Sequence, residues 1–498
     1  MLHGTQLYGA QLDETNPPLI IWFSAIPAAI ANLTHTYPLT VLRAFIVFLT
    51  LLSTVWCVRI LRAAGLARNL VLTSLWTLAL LAIELSQHGN DFGQKEQVLI
   101  LFLLPLLFYE AVQHTAATSS TPRLRFGLPE RIALGICAGL SVSFKPQDAL
   151  ILVAFELFLL LYTRNLRRLL RPELLAAVLT GLAYIAAVRI FTPLYFTQIV
   201  PLLSDTYWAY GEYSALQVLG RCPIFNIICL LTLVAWAILR PRLRFPAAPL
   251  ALLSGAAGAA LAYAMQNKDW PYQFFPQQAI LSCAVAWLVF DAISSLIESR
   301  LRANTQPRRH LLTTALLPLA LVIMAITVPK LYSIGYSHDR IVSQTPDSDF
   351  LDATLDALPP GTPVTLLCIN LMGDNDILHG DLTLATRYHH LWMLPSIILN
   401  ERAQASGTPS RHPVTPARLA YLADLQRSNS ADDIRLHHPH IIIVQHCKAT
   451  DEEPCQGLYK TAFDILPWFL QSPNFANAFA HYRHTSGDSF FDVYTRTP

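Results

Sequence analysis

Ten apolar runs, each closed off by charged or helix-breaking residues, constrain this chain more than any other feature. They lie near residues 39–61, 70–86, 97–114, 132–145, 148–163, 174–192, 222–239, 246–265, 276–293 and 310–329. A helix needs roughly 20 apolar residues to cross a bilayer, and a soluble globule cannot hide ten such runs. The composition agrees: 53% of residues are hydrophobic and 14% charged, where an average soluble protein carries about 25% charged residues. The mean hydropathy is +0.40. A cytosolic enzyme and a disordered chain are both excluded. So is a nucleic-acid partner, because a net charge of +2 offers no basic field for phosphates. The fold class that remains is a mainly α, polytopic membrane helix bundle.

Arginine gives the bundle a direction. One set of loops holds Arg59, Arg62 and Arg68, then Arg123, Arg125 and Arg131, then Arg164, Arg167, Arg168 and Arg171. It continues with Arg240, Arg242 and Arg244, and ends with Arg300, Arg302, Arg308 and Arg309. These loops alternate with loops that hold almost no positive charge. The positive-inside rule makes the arginine loops cytoplasmic. The start of the chain, the loops near 87–96, 193–221 and 266–275, and everything after residue 330 are then outside. Pro17–Leu33 reads as a helix lying in the outer interface. A crossing would satisfy the same parity, but two opening prolines and Pro27 tell against it. The surface reading expects a further helix upstream of Met1 to carry this loop across the membrane.

The chain therefore divides into a first outer loop (1–38), a membrane domain (39–329) and an outer domain (330–498). Residues 330–498 hold 30 charged residues, against 38 in the roughly twofold longer stretch before them. The outer domain alternates two periods. Asp347–Leu358 and Pro416–Gln426 read as helices, and Pro363–Ile369, His440–Gln445 and Ser489–Arg496 as strands, which predicts a C-terminal α/β domain. Of the eight cysteines, Cys57, Cys137, Cys229 and Cys283 lie in apolar runs and read as small apolar residues. Cys222, Cys368, Cys447 and Cys455 face the oxidising side. Cys447 and Cys455 can close a short disulfide loop there or stay reduced.

Lysine is the exception to the arginine pattern. Residues 1–329 contain only Lys95, Lys145 and Lys268, and all three fall on the outer side. Each sits in a polar or aromatic segment: Asp91-Phe92-Gly93-Gln94-Lys95-Glu96-Gln97, Phe144-Lys145-Pro146-Gln147-Asp148, and Gln266-Asn267-Lys268-Asp269-Trp270-Pro271-Tyr272-Gln273. Any one of them fits a snorkelling interface lysine. Three together, placed where topology disfavours cations, point to an anionic partner such as a lipid-linked phosphate. Carboxylates crowd the same side: Asp13, Glu14, Asp91, Glu96, Asp148 and Asp269. Such groups serve as general bases, hold a divalent ion or are simply solvated. Glu84, Glu110 and Glu156 fall within spans and are expected to face the bundle interior or a cavity.

These segments resemble GT-C fold glycosyltransferases, in the bacterial branch related to the aminoarabinose transferases and protein O-mannosyltransferases. Leu2-His3-Gly4-Thr5-Gln6-Leu7-Tyr8, with Asp13-Glu14-Thr15-Asn16-Pro17-Pro18 and Trp22, looks like the first outer loop of that branch. Phe92-Gly93-Gln94-Lys95-Glu96 is similar to its Gly-Gln-Arg/Lys-Glu segment, and Lys145-Pro146-Gln147 to its Lys-Pro-His/Gln turn. The segment from Gln266 to Gln273 looks like its Gln-Gly-Lys-Gly-Trp-Pro-Tyr-His stretch, with Asn267, Asp269 and Gln273 as departures. The resemblance implies a bacterial inner-membrane enzyme with a periplasmic C-terminal domain. It implies transfer of a sugar from a polyprenyl-phosphate donor to a lipid, glycan or protein acceptor. Lys95, Lys145 and Lys268 would contact the donor phosphate. Gln94, Gln147, Gln266, Trp270, Tyr272 and Gln273 would bind substrate. The family's catalytic base is an acidic residue just after the first helix, which would lie upstream of Met1. The candidates within this chain are Asp13, Glu14 and Glu96, with Asp13 or Glu14 also able to hold a metal or the acceptor. A divalent metal is an open requirement, and no protein-metal ligand set is assigned.

Two other readings compete: a flippase or transporter of a lipid-linked saccharide, and a non-catalytic subunit of an envelope polysaccharide machine. A transporter places its sites at mid-membrane, whereas here the polar motifs crowd one face. Asp374-Asn375-Asp376 has an acid-x-acid form but follows Gly373 and reads as a turn. His437, His438 and His440 read as the lead-in to a buried strand that His446 follows, rather than as a metal cluster with His389 and His390.

Overall fold

The computed structural model describes residues 6–87, 91–115, 126–303, 346–448, 455–458 and 461–497. Its contacts divide the chain into two units. One is helical and comprises Leu19–Ala187 and Tyr213–Ser337. The other comprises Met1–Pro18, Val188–Glu212 and His338–Pro498. Besides the tail, this second unit takes in part of the first loop and a segment overlapping the 193–221 loop.

In the helical unit the apolar runs become α1 (Pro18–Thr34), α2 (Pro38–Ala63), α3 (Leu70–Glu84), α4 (Lys95–Thr115), α5 (Leu128–Phe144), α6 (Ala149–Thr163) and α7 (Pro172–Phe191). After two short helices, α8 (Val200–Thr206, in the other unit) and α9 (Ala215–Gly220), come α10 (Pro223–Leu239), α11 (Ala248–Ala264) and α12 (Phe275–Ala303). Proline opens many of them, where its missing N–H costs nothing. Among the described residues, six helical stretches are long and apolar enough to cross a membrane; α1, α3 and α11 are shorter apolar helices. The run expected at 310–329 lies outside the described residues.

A contiguous core joins α2–α6, α11 and α12 around Trp76, Phe108 and Trp287, which meet edge-on or tilted at 5.1–6.1 Å. Glycine permits the closest helix approaches. A Cβ at Gly258 of α11 would lie 2.3 Å from the Leu150 carbonyl oxygen of α6. One at Gly135 of α5 would lie 2.1 Å from the Glu173 carbonyl oxygen of α7. Small residues at helix crossings are how membrane helices gain contact. Conversely, the most apolar windows of α7 and α10 are only 11% buried. Leu179, Leu182 and Ile190 on α7, and Ile224, Leu230 and Leu231 on α10, are all exposed, as lipid-facing side chains would be. The helix expected at Pro17–Leu33 forms as α1, and its Phe23 packs on Phe45, Phe102 and Phe144.

The span carboxylates point inward. Glu84 accepts hydrogen bonds from the hydroxyls of Ser53 and Thr54, each at 2.7 Å. Glu110 and Glu156 share two arginines: Arg171 Nε lies 2.9 Å from Glu110, and Arg168 Nη2 lies 3.2 Å from Glu156. His114 joins at 3.1 Å from Glu110. Arg168 and Arg171 are thus buried ion-pair partners rather than solvated loop cations, because a charge left alone at that depth is costly.

In the second unit the sheet order is β2-β1-β3-β6-β5. The strands are β1 (Pro363–Leu367), β2 (Thr383–Leu384), β3 (Ile441–Cys447), β5 (Tyr482–Gly487) and β6 (Phe491–Arg496), with β4 (Phe463–Asp464) pairing β3 off that path. β2, β1 and β3 run parallel, while β6 and β5 are antiparallel. Ile441 and Ile443 face one apolar cluster, with Leu351 and Leu355 of the helix Pro346–Asp356. Ile442 and Val444 face the other, with the helices Leu394–Ser406 and Pro416–His437. Asp374-Asn375-Asp376 opens a short helix, Asp374–His379, instead of forming a turn. Gly373 starts it at φ 74°, a conformation that favours glycine. His438 takes a left-handed cap at the end of its helix, and His440 leads into β3. Cys447 and Cys455 are bridged, with Cα atoms 5.3 Å apart.

Candidate functional site

Three separate elements of the helical unit bring the lysines together. Lys95 and Glu96 open α4. Gly93, at φ 88°, turns the chain into that helix. Gln97 staples the start, accepting from the Gly93 N–H at 2.8 Å and donating to the Glu84 carbonyl at 2.9 Å. Lys145 stands between α5 and α6 with extended backbone, φ −151°, as the residue before a proline must. Pro146 then starts a tight turn in which the Asp148 N–H bonds to the Lys145 carbonyl at 2.9 Å. Lys268 follows α11 beside Asn267, which adopts φ 56°.

Lys145 Nζ donates to Glu96 Oε1 at 2.6 Å, and both side chains are buried. Glu96 Oε2 and Asp148 Oδ2 are buried with no hydrogen-bond partner among the described residues. Asp148 lies within electrostatic range of Lys145, Glu96 and Lys95. Lys268 lies in range of Lys145 and Lys95. Burial, and then the two neighbouring ammonium groups, push the Lys268 pKa down to about 6. Its Nζ sits 4.2 Å from the Trp270 ring centroid. The Trp270 and Tyr272 rings are 5.9 Å apart. Asp269 turns elsewhere, pairing with Arg221 and accepting from the Tyr263 hydroxyl at 2.8 Å.

The remaining sequence candidates divide. Gln273 is buried and its Nε2 reaches the Tyr272 hydroxyl at 3.3 Å. Gln94, Gln147 and Gln266 are half-buried in the same three loops. Asp13 and Glu14 belong to the other unit. There the Asp13 N–H bonds to the Arg387 carbonyl at 2.9 Å, and Arg387 forms a forked pair with Asp433. Burial raises the Asp13 carboxyl to about 7, against the pull of Arg387, and its Oδ1 has no hydrogen-bond partner among the described residues. Glu14 is occupied locally by the Asn16 N–H and side chain, each at 2.9 Å. Two residues escaped sequence reasoning. Gln277 in the first turn of α12 and Gln87 after α3 are buried, with side-chain oxygens that have no partner among the described residues. The available signal was a glutamine four residues after Gln273, inside an otherwise apolar helix. In the sheet unit, His446 and His484 both contact Asp492, at 3.2 and 3.0 Å.

The helical-unit cluster offers three lysines, two carboxylates and two neighbouring aromatic rings. Its chemistry suits a phosphate joined to a ring with an apolar face. No protein-family model matches this chain, and no curated protein matches it significantly. Two solved structures are similar to it. One is ArnT from Cupriavidus metallidurans in the apo state, 13% identical with a TM-score of 0.48. The other is the same protein bound to undecaprenyl phosphate, 14% identical with a TM-score of 0.45. Each comparison covers 96% of this chain and 87% of the other.

Proposed function

We propose that this chain is a GT-C type membrane glycosyltransferase that moves a sugar from a polyprenyl-phosphate donor to an acceptor on the extracytoplasmic side. The observation that carries this reading is that the buried Lys268 lies within electrostatic range of the buried Lys145 and the half-buried Lys95, each from a different loop. Those loops lie at the helix ends opposite the arginines: α5 begins beside Arg131 and ends at Lys145, and α6 ends at Arg164. The Cys447–Cys455 bridge supports an oxidising, periplasmic setting for the tail. A largely apolar cavity of about 520 Å³ lies between α2, α4 and α5, lined by Leu52, Leu101, Phe102 and Pro105 and, toward the arginine end, by Arg59 and Glu130.

In this reading an acceptor oxygen attacks the anomeric carbon and the lipid phosphate leaves with the bonding pair. The lysines stabilise the charge that grows on that phosphate, and Trp270 and Tyr272 hold the sugar face. The test is a transfer assay in membranes, following loss of labelled sugar from polyprenyl-phosphate donors. Lys268→Ala should abolish the loss, while Arg62→Ala, on an exposed arginine at the other helix end, should leave it unchanged. Label retained by the wild type across several sugars, with divalent ions present, would reject the enzyme reading in favour of a flippase or an assembly subunit.

A further inference from the structure

The cavity between α2, α4 and α5 exists because two of its walls are short of side chain. α4 presents Pro105, which has no N–H to close a turn onto the Leu101 carbonyl. α5 presents Ala133 and Cys137, both small and one helical turn apart. The third wall is α2. There Leu52 and Val55 are exposed on a helix long and apolar enough to cross a membrane, so hydrocarbon borders the cavity. From Leu49 to Arg59 this wall runs about 15 Å at 1.5 Å per residue, half of a hydrocarbon core of about 30 Å. That is the reach of one acyl chain in one leaflet.

The mouth of the cavity is polar and fixed. Glu130, in the first turn of α5, accepts from Arg59 Nη2 at 2.9 Å and from Trp56 Nε1 at 3.3 Å. The Arg59 guanidinium also lies 5.2 Å from the Phe126 ring centroid. It is held at the cavity edge by one amino group and one face, while its side chain stays 62% exposed. A guanidinium already held in place, with further N–H groups facing out, takes a phosphate at little added cost in side-chain entropy. The apolar walls cannot choose between lipids with the same chains, because a tail entering from the bilayer exchanges one apolar setting for another. Selection therefore falls to the mouth. We propose that the cavity binds a glycerophospholipid of the arginine-side leaflet, with one acyl chain between α2, α4 and α5 and the phosphodiester on Arg59. Glu130 is a positioning residue that holds the guanidinium at the cavity edge. The site stands apart from the proposed transfer reaction, at the helix ends opposite the lysines.

The experiment uses the full-length protein, stripped of lipid, in a maltoside detergent that carries no phosphate. Two probes share dibromostearoyl chains: a phosphatidylglycerol and a diacylglycerol. Bromine quenches a nearby indole, and the difference between the wild type and Trp56→Phe isolates the Trp56 share. The phospholipid is expected to quench that share saturably and to bind about tenfold more tightly than the diacylglycerol, the worth of one charge-assisted hydrogen bond. Arg59→Gln should remove the preference. Ala133→Phe and the milder Cys137→Leu fill the gap from α5 and should reduce the quench by both probes, with the Tm of the wild type retained. The proposal is overturned if Trp56 shows no saturable quench, if the preference survives Arg59→Gln, or if neither filling variant reduces the quench. A C15 prenyl phosphate that displaces the brominated phospholipid at lower concentration than the unbrominated phospholipid does would assign the cavity to a prenyl chain and overturn it as well.

Discussion

Raising the pH from 6 to 8 is expected to weaken binding of a prenyl phosphodiester about 50-fold, and the reason is Lys268. Burial and the neighbouring Lys145 and Lys95 bring its pKa down from 10.5 to about 6. In the empty site the ammonium is then half populated at pH 6 and about one part in a hundred at pH 8. A bound phosphate oxygen supplies the opposite charge and restores the proton, so binding takes one up. The cost is a factor of two at pH 6 and about 100 at pH 8, a difference of about 2.3 kcal/mol. A diester is the appropriate probe because its own charge stays at −1 throughout. Calorimetric titration in two buffers of different ionisation heat reads both the affinity and the proton uptake. Lys268→Arg should flatten the profile, since a guanidinium stays charged across this range. An affinity that is constant from pH 6 to 8, or binding at pH 8 without proton uptake, would refute the argument.

Three further outcomes are expected. Lys145→Ala strands the Glu96 carboxylate in a buried site and should destabilise the protein by about 3–5 kcal/mol. Adding Glu96→Gln should restore thermal stability in detergent but not turnover. Asp13 has a carboxyl raised from 3.8 to about 7, so its burial favours the neutral form. Docking of the first loop should be strongest below pH 4, weaken as pH rises to about 7, and then stay constant. Deuterium uptake of residues 6–17, corrected for intrinsic exchange, should show this trend and lose it in Asp13→Asn. Replacing Cys447 and Cys455 by serine opens a loop of sequence separation 8 and should lower the stability of the sheet unit by about 2–3 kcal/mol, which reductant should reproduce in the wild type.

What the sequence made legible was local. Apolar runs, arginine clusters and the alternating strand at Ile441–Val444 report on residues near one another in the chain, and the helices and β3 follow them closely. The three lysines stood out because they broke a local rule. What stayed hidden was pairing over distance: Glu96 with Lys145, 49 residues apart, or Arg387 with Asp433, 46 apart. The strand Tyr482–Gly487 escaped because it is mostly exposed and shows no apolar alternation. The helix Leu394–Ser406 escaped because its buried residues are bunched in its first half, without an amphipathic period. Residues 188–212 read only as the end of a span and an outer loop, yet Leu202 belongs to the core of the sheet unit.

The two buried charge clusters of the helical unit differ in a way that separates architecture from binding. Glu110 and Glu156 meet Arg168 and Arg171, two acids against two bases, with His114 alongside. Every charge in that set is answered within the protein. A cluster of this kind holds helices and a loop in register and offers no net field to a ligand. In the lysine cluster Glu96 pairs with Lys145, Asp148 lies within electrostatic range of Lys145 and Lys95, and the two other lysines act on Lys268. A third ammonium in that buried place is disfavoured, so Lys268 is largely neutral above about pH 6. On the donor-phosphate reading, the positive charge on Lys268 forms when phosphate binds.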